Sequence, residues 1–226
     1  MERIAIVGSS GHARMVLDVL AAVKAKCCGF IDSFKPAGSV VQGIAVLGDE
    51  RAIPELQERH RIDSLIIAIG DNYSREQMAQ RIREILPGAR FATVIHPSCQ
   101  LGGDVQIGEG CVLMPGSIVN QGSRIGDFCI LNTRSSLDHD SEMKNFSSIA
   151  PGVTTGGNVQ IGVGSCACIG AVIVEKVTIG DYTVVGAGSL LLNSLPDRVV
   201  AYGVPAKIIR RREPGDPYLK PRATNY

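Results

Sequence analysis

The sequence predicts a small α/β unit followed by a parallel β-helix, on three observations. The first is a period of six. Stepping by six from Ile95 gives Leu101, Ile107, Leu113, Val119, Ile125, Leu131, Leu137, Met143, Ile149, Thr155, Ile161, Ala167, Ile173, Ile179, Val185 and Leu191, all hydrophobic except Thr155. The second is a companion row two residues earlier, from Cys99, Val105, Cys111 and Ser117 to Ser189, in which every side chain is small or β-branched. The third is the opening RIAIV-GSSGH, a buried strand running into a glycine turn. A period of six is neither the 3.6 of an amphipathic helix nor simple strand alternation, and it marks hexapeptide coils.

The elements of residues 1–90 read in order. Residues 3–7 form a strand, and Gly8 to His12 a tight turn. Residues 13–24 form a helix with an apolar stripe at Met15, Val16, Val19, Leu20 and Val23. Residues 27–31 form a second strand ending at Asp32. Residues 49–59 form a helix with Asp49 as cap, and 64–69 a third strand. Residues 74–86 form a helix started by Ser74 and stopped by Pro87-Gly88. Alternating strands and helices with a glycine turn after the first strand give a Rossmann-like α/β domain over 1–90.

Residues 91–210 are the β-helix. Three hexapeptides make a triangular coil of 18 residues, in which the aliphatic residue points inward and stacks on its equivalent one coil later. Residues 95–192 supply about five coils, a prism roughly 25 Å long at the ordinary strand spacing. Single coils cannot bury themselves, so the stack needs caps. Glycine directly follows several inward residues, as at Gly102, Gly126 and Gly162, and is read as easing the corner. Asn120 holds the same place, where Asn tolerates the left-handed conformation. Residues 211–226 form a polar tail holding Pro214, Pro217 and Pro221, read as extended or disordered.

Composition narrows the function. A formal net charge of +1 gives no electrostatic case for nucleic acid. No apolar run is long enough to cross a membrane, and no secretory signal is visible, so a cytoplasmic protein is expected. The seven cysteines read as buried, reduced thiols. Cys166-x-Cys168 would need further ligands to hold a metal, and none is expected.

Two stretches carry chemistry. Ser10, Gly11 and His12 open a helix, where free N–H groups favour phosphate, and Asp32 with Ser33 ends the second strand, where an acid can hold ribose hydroxyls. The same turn also suits a strand–helix connection that binds nothing, and Asp32 also suits a plain turn. The domain is short for a whole dinucleotide, so a nucleoside diphosphate linked to another group fits better than NAD. In Leu137-Asp138-His139-Asp140 the leucine points inward, which leaves Asp138, His139 and Asp140 on the corner. Flanking carboxylates favour the imidazolium, and an acid on one ring nitrogen leaves the other as a base. A solvated polar corner is the plain alternative. Asn132 lies one hexapeptide earlier and could share that site. Thr155 breaks the apolar row within about one coil of His139, and such failures often mark function. The basic run Arg210-Arg211-Arg212 is either a solvated face or a phosphate contact.

Together IVGSSGHA, IDS, LIIAIGDN, VIHPSCQLG, ILNTRSSLDHD, GGNVQIG and GVPAK resemble the bacterial nucleotide-amino-sugar N-acetyltransferases of the left-handed β-helix class, which are related to sialic acid O-acetyltransferases. The resemblance spans roughly residues 3–210 and implies the hand of the β-helix, a homotrimer, and acetyl-CoA as cosubstrate in the groove between neighbouring β-helices. It implies that Ser10, Gly11, His12, Asp32 and Ser33 bind a UDP- or GDP-linked amino sugar, with Asn132 beside the sugar. His139 is then the general base, Asp140 the acid that orients it, and Gly157 the N–H donor to the thioester oxyanion. Ser148, Ile169 and Ala187 fall along the CoA groove. Relatives often carry Glu where Asp140 stands, and some carry His where Ser148 stands. Two rival functions share the scaffold: an O-acetyltransferase acting on a sugar or serine hydroxyl, and a non-catalytic trimer that senses nucleotide sugars.

Overall fold

The structure, a computed structural model, describes residues 1–218. Strands β1 (Arg3–Val7), β2 (Lys26–Ile31), β3 (Val40–Val41), β4 (Ile44–Gly48) and β5 (Ser64–Ile67) form one sheet in the order β3-β4-β2-β1-β5. All neighbours are parallel except the β3–β4 hairpin at the edge, which the sequence reading did not anticipate. Helices α1 (Gly11–Ala22), α2 (Ile53–His60) and α3 (Asn72–Ile85) cover it. Three expected helix starts are corrected, the first being α1, which starts at Gly11 rather than Ala13. Residues 50–52 are a 3-10 turn capped by Asp49, which accepts from the Arg51 N–H at 3.0 Å, and α2 follows it. Helix α3 starts two residues before Ser74, because Asp71 is the cap and accepts the Ser74 N–H at 2.8 Å.

Seventeen two-residue strands follow, from Val94–Ile95 to Leu190–Leu191, and stack into three parallel faces. The register is one coil of 18 residues throughout: Ile118 pairs with Ser136, Arg124 with Glu142, and Ile130 with Ser148. The first face holds Val112–Leu113, Ile130–Leu131, Ser148–Ile149, Cys166–Ala167 and Val184–Val185; the second holds Ser136–Leu137 and Thr154–Thr155; the third holds Glu142–Met143 and Gln160–Ile161. The period-six aliphatics fill the prism with Leu113, Val119, Leu131, Leu137, Met143 and Ile149 all shut off from solvent. The small companion row fills gaps and also satisfies corner carbonyls: Ser123 Oγ donates to Asp138 O at 2.8 Å and Ser165 Oγ to Gly180 O at 2.6 Å.

The glycines after the inward residues have a different cause from the one expected. They are not at the left-handed corner. That position is three residues after the inward one, and the column Asp104, Gly122, Asp140, Asn158 and Lys176 has φ from 56° through 72°, 55° and 58° to 59°. The glycines are required because the next coil passes so close. A Cβ on Gly102 would lie 2.5 Å from Gln121 N, and one on Gly162 2.6 Å from Asp181 N. Asn120, at the same place, is likewise no left-handed corner; its Nδ2 donates to Asp138 Oδ1 at 2.6 Å, one coil on.

The two parts are riveted by Arg75 of α3, which is completely buried. Its Nε donates to Phe128 O at 2.9 Å, its Nη1 to Ile69 O at 2.9 Å, and its Nη2 to Asn72 Oδ1 at 2.7 Å and Phe146 O at 3.0 Å. Asn72 in turn donates to Ser165 O at 3.0 Å, and Phe91, Phe128 and Phe146 pack beside the clamp with neighbouring ring centres 4.9 and 5.0 Å apart. A hairpin of Val199–Gly203 and Ala206–Arg211 extends the first face. The basic run divides: Arg212 is buried and donates to Tyr182 O at 2.8 Å and Asp216 O at 2.7 Å, while Arg211 is exposed. Residues 213–218 therefore fold back onto the body rather than leaving it; the rest of the expected tail lies outside the described residues. No described cysteine is bridged. Cys111, Cys129 and Cys166 are buried as expected, and Cys27, Cys28, Cys99 and Cys168 are only partly so. No described helix is long and apolar enough to cross a membrane.

Candidate active site

The sequence candidates fall on three surfaces of the chain. The first is the corner between the second and third faces. After Leu137 turns inward, the backbone reverses through Asp140 at φ 55° and presents the His139 ring on the outside. His139 Nδ1 lies 2.9 Å from Asp140 Oδ2. An ionised carboxylate only accepts, so in the neutral ring Nδ1 carries the proton and Nε2 the lone pair. The Asp140 hydrogen bond holds the imidazole above its ordinary 6.5, with the charges of Asp138, Asp140 and Glu175 adding to it. Asp138 faces the other way and is engaged: Asn120 Nδ2 and the His139 N–H, at 2.8 Å, both donate to its Oδ1 and hold its carboxyl below the usual range.

Gly157 lies one coil above His139. A Cβ there would sit 2.5 Å from His139 Nε2 and 2.6 Å from Cε1, so the ring rests on the glycine backbone. The Gly157 carbonyl accepts from Lys176 N–H at 2.9 Å, whereas its own N–H has no partner among the described residues. The Nε2 edge of the exposed ring and an unused amide donor thus meet at one spot, with the glycine buried beneath the ring.

The second surface is a cleft of about 960 Å3 between the first face, the glycine turn and the returning segment. His12 and Gly70 line it from the α/β side, Asn132, Ser148, Ile169 and Ala187 from the β-helix, and Asp216, Pro217 and Tyr218 from the C-terminal segment. Its floor rises through Ile130, Ser148, Cys166, Val184 and Val200, five successive rungs, a run of about 19 Å at the strand spacing. His12 Nε2 is shut off from solvent and has no partner among the described residues. Burial and the nearby Arg75 charge push its pKa down to about 4, so the ring is neutral at physiological pH. Arg210, read from the sequence as a solvated face or a phosphate contact, lines the cleft, and Tyr218 is a cleft residue that the sequence reading missed. A proline-bearing tail carries no period, and only the burial of Arg212 reveals that it is anchored.

The third surface is the phosphate-type turn and its flank. Ser10 caps α1 without a side-chain bond, and the Gly11 and His12 amides make none among the described residues. Asp32 sits beside the turn, bonded by Ser9 Oγ and the Phe34 N–H, with Lys35 Nζ 3.7 Å away. Burial pushes the Asp32 carboxyl up, but these bonds and the Lys35 charge together hold it below the usual range. Asp32 and Ser33 line a separate cavity of about 490 Å3 with exposed Phe34, and Ser33 Oγ donates to Glu50. Lys35 donates to Ser9 Oγ at 2.7 Å and is a cation at the turn that the motif reading overlooked. Within one chain Asn132 does not join His139. Asn132 lies on the corner between the first and second faces and His139 on the next, because each hexapeptide turns the chain onto a new face.

Known proteins resemble the chain over both of its parts. Residues 3–82 match the PglD N-terminal domain family. A histidine-to-alanine mutant of GDP-perosamine N-acetyltransferase from Caulobacter crescentus, solved with CoA and GDP-perosamine, superposes with a TM-score of 0.87 at 35% identity over 93% of this chain and 98% of that one. The acetyltransferase domain of PglB from Neisseria gonorrhoeae, solved with acetyl coenzyme A, gives 0.83 at 29% identity over 92% and 99%. GDP-perosamine N-acetyltransferase of Escherichia coli O157:H7 is 26% identical over 211 residues, 90% of this chain and 84% of that protein. The fold is thus that of the left-handed β-helix acyltransferases with an N-terminal α/β domain. Within that class the chain belongs to the hexapeptide-repeat nucleotide-amino-sugar N-acetyltransferases, acetyl-CoA-dependent enzymes.

Proposed function

We propose that the protein transfers the acetyl group of acetyl-CoA to the amine of a UDP- or GDP-linked 4-amino-deoxysugar by direct attack. The observation that carries the mechanism is the His139 ring, held by Asp140 on Nδ1 and resting by its Nε2 edge on Gly157. The amine nitrogen attacks the thioester carbonyl while His139 Nε2 takes its proton. Asp140 stabilises the imidazolium that forms, and the Gly157 N–H donates to the oxyanion. The C–S bond then breaks and CoA leaves as thiolate, which takes up a proton. No acyl-enzyme is needed.

His139 is 55% exposed in the single chain, too open for a base that works in a water-poor site. The cleft that holds Ser148, Ile169 and Ala187 opens at another corner. A homotrimer that sets the His139 corner of one copy against the cleft of the next completes both. The 19 Å run of mainly apolar rungs suits the extended arm of acetyl-CoA. The turn at Ser10, Gly11 and His12, with Lys35, suits the diphosphate, and Asp32 with Ser33 the ribose. Asn132 stands beside the sugar. The reaction belongs in the cytoplasm, where acetyl-CoA and nucleotide sugars are available.

The relatives solved or named with GDP-perosamine make that compound the first acceptor to try. The test is thiol release from acetyl-CoA with a panel of GDP- and UDP-linked 4-amino sugars, with mass spectrometry of the product. One amino sugar gaining a single acetyl group on nitrogen is the expected result. Release only with a hydroxylated acceptor such as a sialic acid would move the protein to O-acetylation. Nucleotide-sugar binding with no release would make it a non-catalytic sensor.

A further inference from the structure

Thr155 is the one break in the inward row, and the reason lies in a hydrogen bond. In this β-helix the residue after each inward position gives its N–H to the carbonyl of the inward residue one coil on. Gly102 N bonds Val119 O at 2.8 Å, Asn120 N bonds Leu137 O at 2.9 Å, Asn132 N bonds Ile149 O at 3.0 Å, and Gly156 N bonds Ile173 O at 2.8 Å. The rule holds on all three faces. At Asp138 it fails: its N–H goes to Thr155 Oγ1 at 3.0 Å instead. The ladder changes with it. Ser136 still pairs with Thr154, but the Leu137–Thr155 pair, present as Val119–Leu137 one coil earlier, is missing.

Asp138 is the residue immediately before His139. The displaced bond therefore sits at the root of the corner that carries the base. One residue further on the register is restored, because Asn158 N reaches His139 O at 2.9 Å and Asp140 N reaches Gln121 O at 3.0 Å. The offset is confined to the Leu137–Asp138 peptide and its neighbour on the next coil, Thr155. A buried hydroxyl in an apolar row costs stability unless it is bonded, and an aliphatic residue would fill the row as it does in every other coil.

We propose that Thr155 is a positioning residue for acetyl transfer: its hydroxyl takes the Asp138 amide off the regular rung and so sets where His139 stands over Gly157. This rests on the reading of His139 as the base. The chemistry asks only for a short hydroxyl at that depth, which Ser can also supply and Val cannot.

The experiment compares Thr155→Val and Thr155→Ser, with His139→Ala as control, in steady-state thiol release and in thermal unfolding. Thr155→Val should lower kcat on the order of tenfold with KM values nearly unchanged, since a sub-ångström displacement of a catalytic group acts on the transition state. Its Tm should be equal to or above that of the wild type, because the apolar row is completed. Thr155→Ser should retain most of kcat. A merely structural threonine would give the opposite signs, a lower Tm with unchanged kcat. Wild-type kcat in Thr155→Val, or a Thr155→Ser variant as slow as Thr155→Val, would overturn the proposal. If Thr155→Val fails to fold, Thr155→Ala against Thr155→Ser makes the same comparison. A slow His139→Ala with fully active Thr155→Val would sink the positioning role alone, whereas a fully active His139→Ala would sink the base assignment and this role with it.

Discussion

The chemistry of single residues rests on what each side chain has already been given. Asp138 and Asp140 flank the same histidine, yet only Asp140 meets its ring, because Asp138 is held by Asn120 and by the His139 amide. This division predicts a pH profile. As the proposed base, His139 must be neutral, and its pKa lies above the ordinary 6.5, so kcat should rise with pH through a midpoint above that value. Asp140→Asn removes the charge that raises it and leaves only a neutral amide oxygen as acceptor. The acidic limb should then move to lower pH while the plateau falls, which a kcat–pH series on both proteins would show; an unmoved limb would detach Asp140 from the base. Gly157→Ala puts a Cβ 2.5 Å from His139 Nε2 and must push the ring aside, so kcat should fall by about a hundredfold in the same assay. The pair His139 and Asp140 was readable from adjacency in the sequence. The neutrality of His12 was not, since it comes from burial between the two parts of the chain and, second, from Arg75, sixty-three positions away.

At the scale of elements, the period of six carried the faces, the register and the inward row, because each coil repeats one steric problem. Where the reading went astray, the cause was the same repetition seen from one coil only. Glycine after the inward residue was assigned to corner conformation, whereas the next coil decides it. The φ values of Asp104, Asp140, Asn158 and Lys176 show non-glycine residues at the true corner. Substitution separates the two causes. Gly162→Ala should cost about 1–3 kcal/mol in denaturant unfolding, because its Cβ would lie 2.6 Å from Asp181 N and from Gly180 C, backbone atoms that cannot step aside. Asn158→Gly, at the left-handed position, should be nearly neutral or stabilising. The short β3–β4 hairpin escaped the sequence reading because two-residue Val40–Val41 has no length over which a period can be seen.

For the whole molecule, the division into an α/β unit and a β-helix was legible, but the bolt between them was not. An arginine in an amphipathic helix reads as solvated, and Arg75 is completely buried with its guanidinium spread over carbonyls of both parts. Arg75→Met leaves those carbonyls unpaired and should cost about 3 kcal/mol or more, measured by urea unfolding. It should also raise the KM for the nucleotide sugar, because His12 and the turn lose their fixed place above the cleft. The C-terminal segment behaves in the same way: buried Arg212 ties residues 213–218 to the wall of the cleft, where a composition-based reading sees only a polar tail. In the proposed homotrimer these parts shape the cleft of one copy, against which the exposed histidine of the next is set. The most direct test is kcat for acetyl transfer to the accepted amino sugar in His139→Ala at saturating substrates. The account predicts a fall of about a hundredfold, the lower end for a general base, since a free amine is already a good nucleophile. A kcat within a few-fold of the wild type would contradict it.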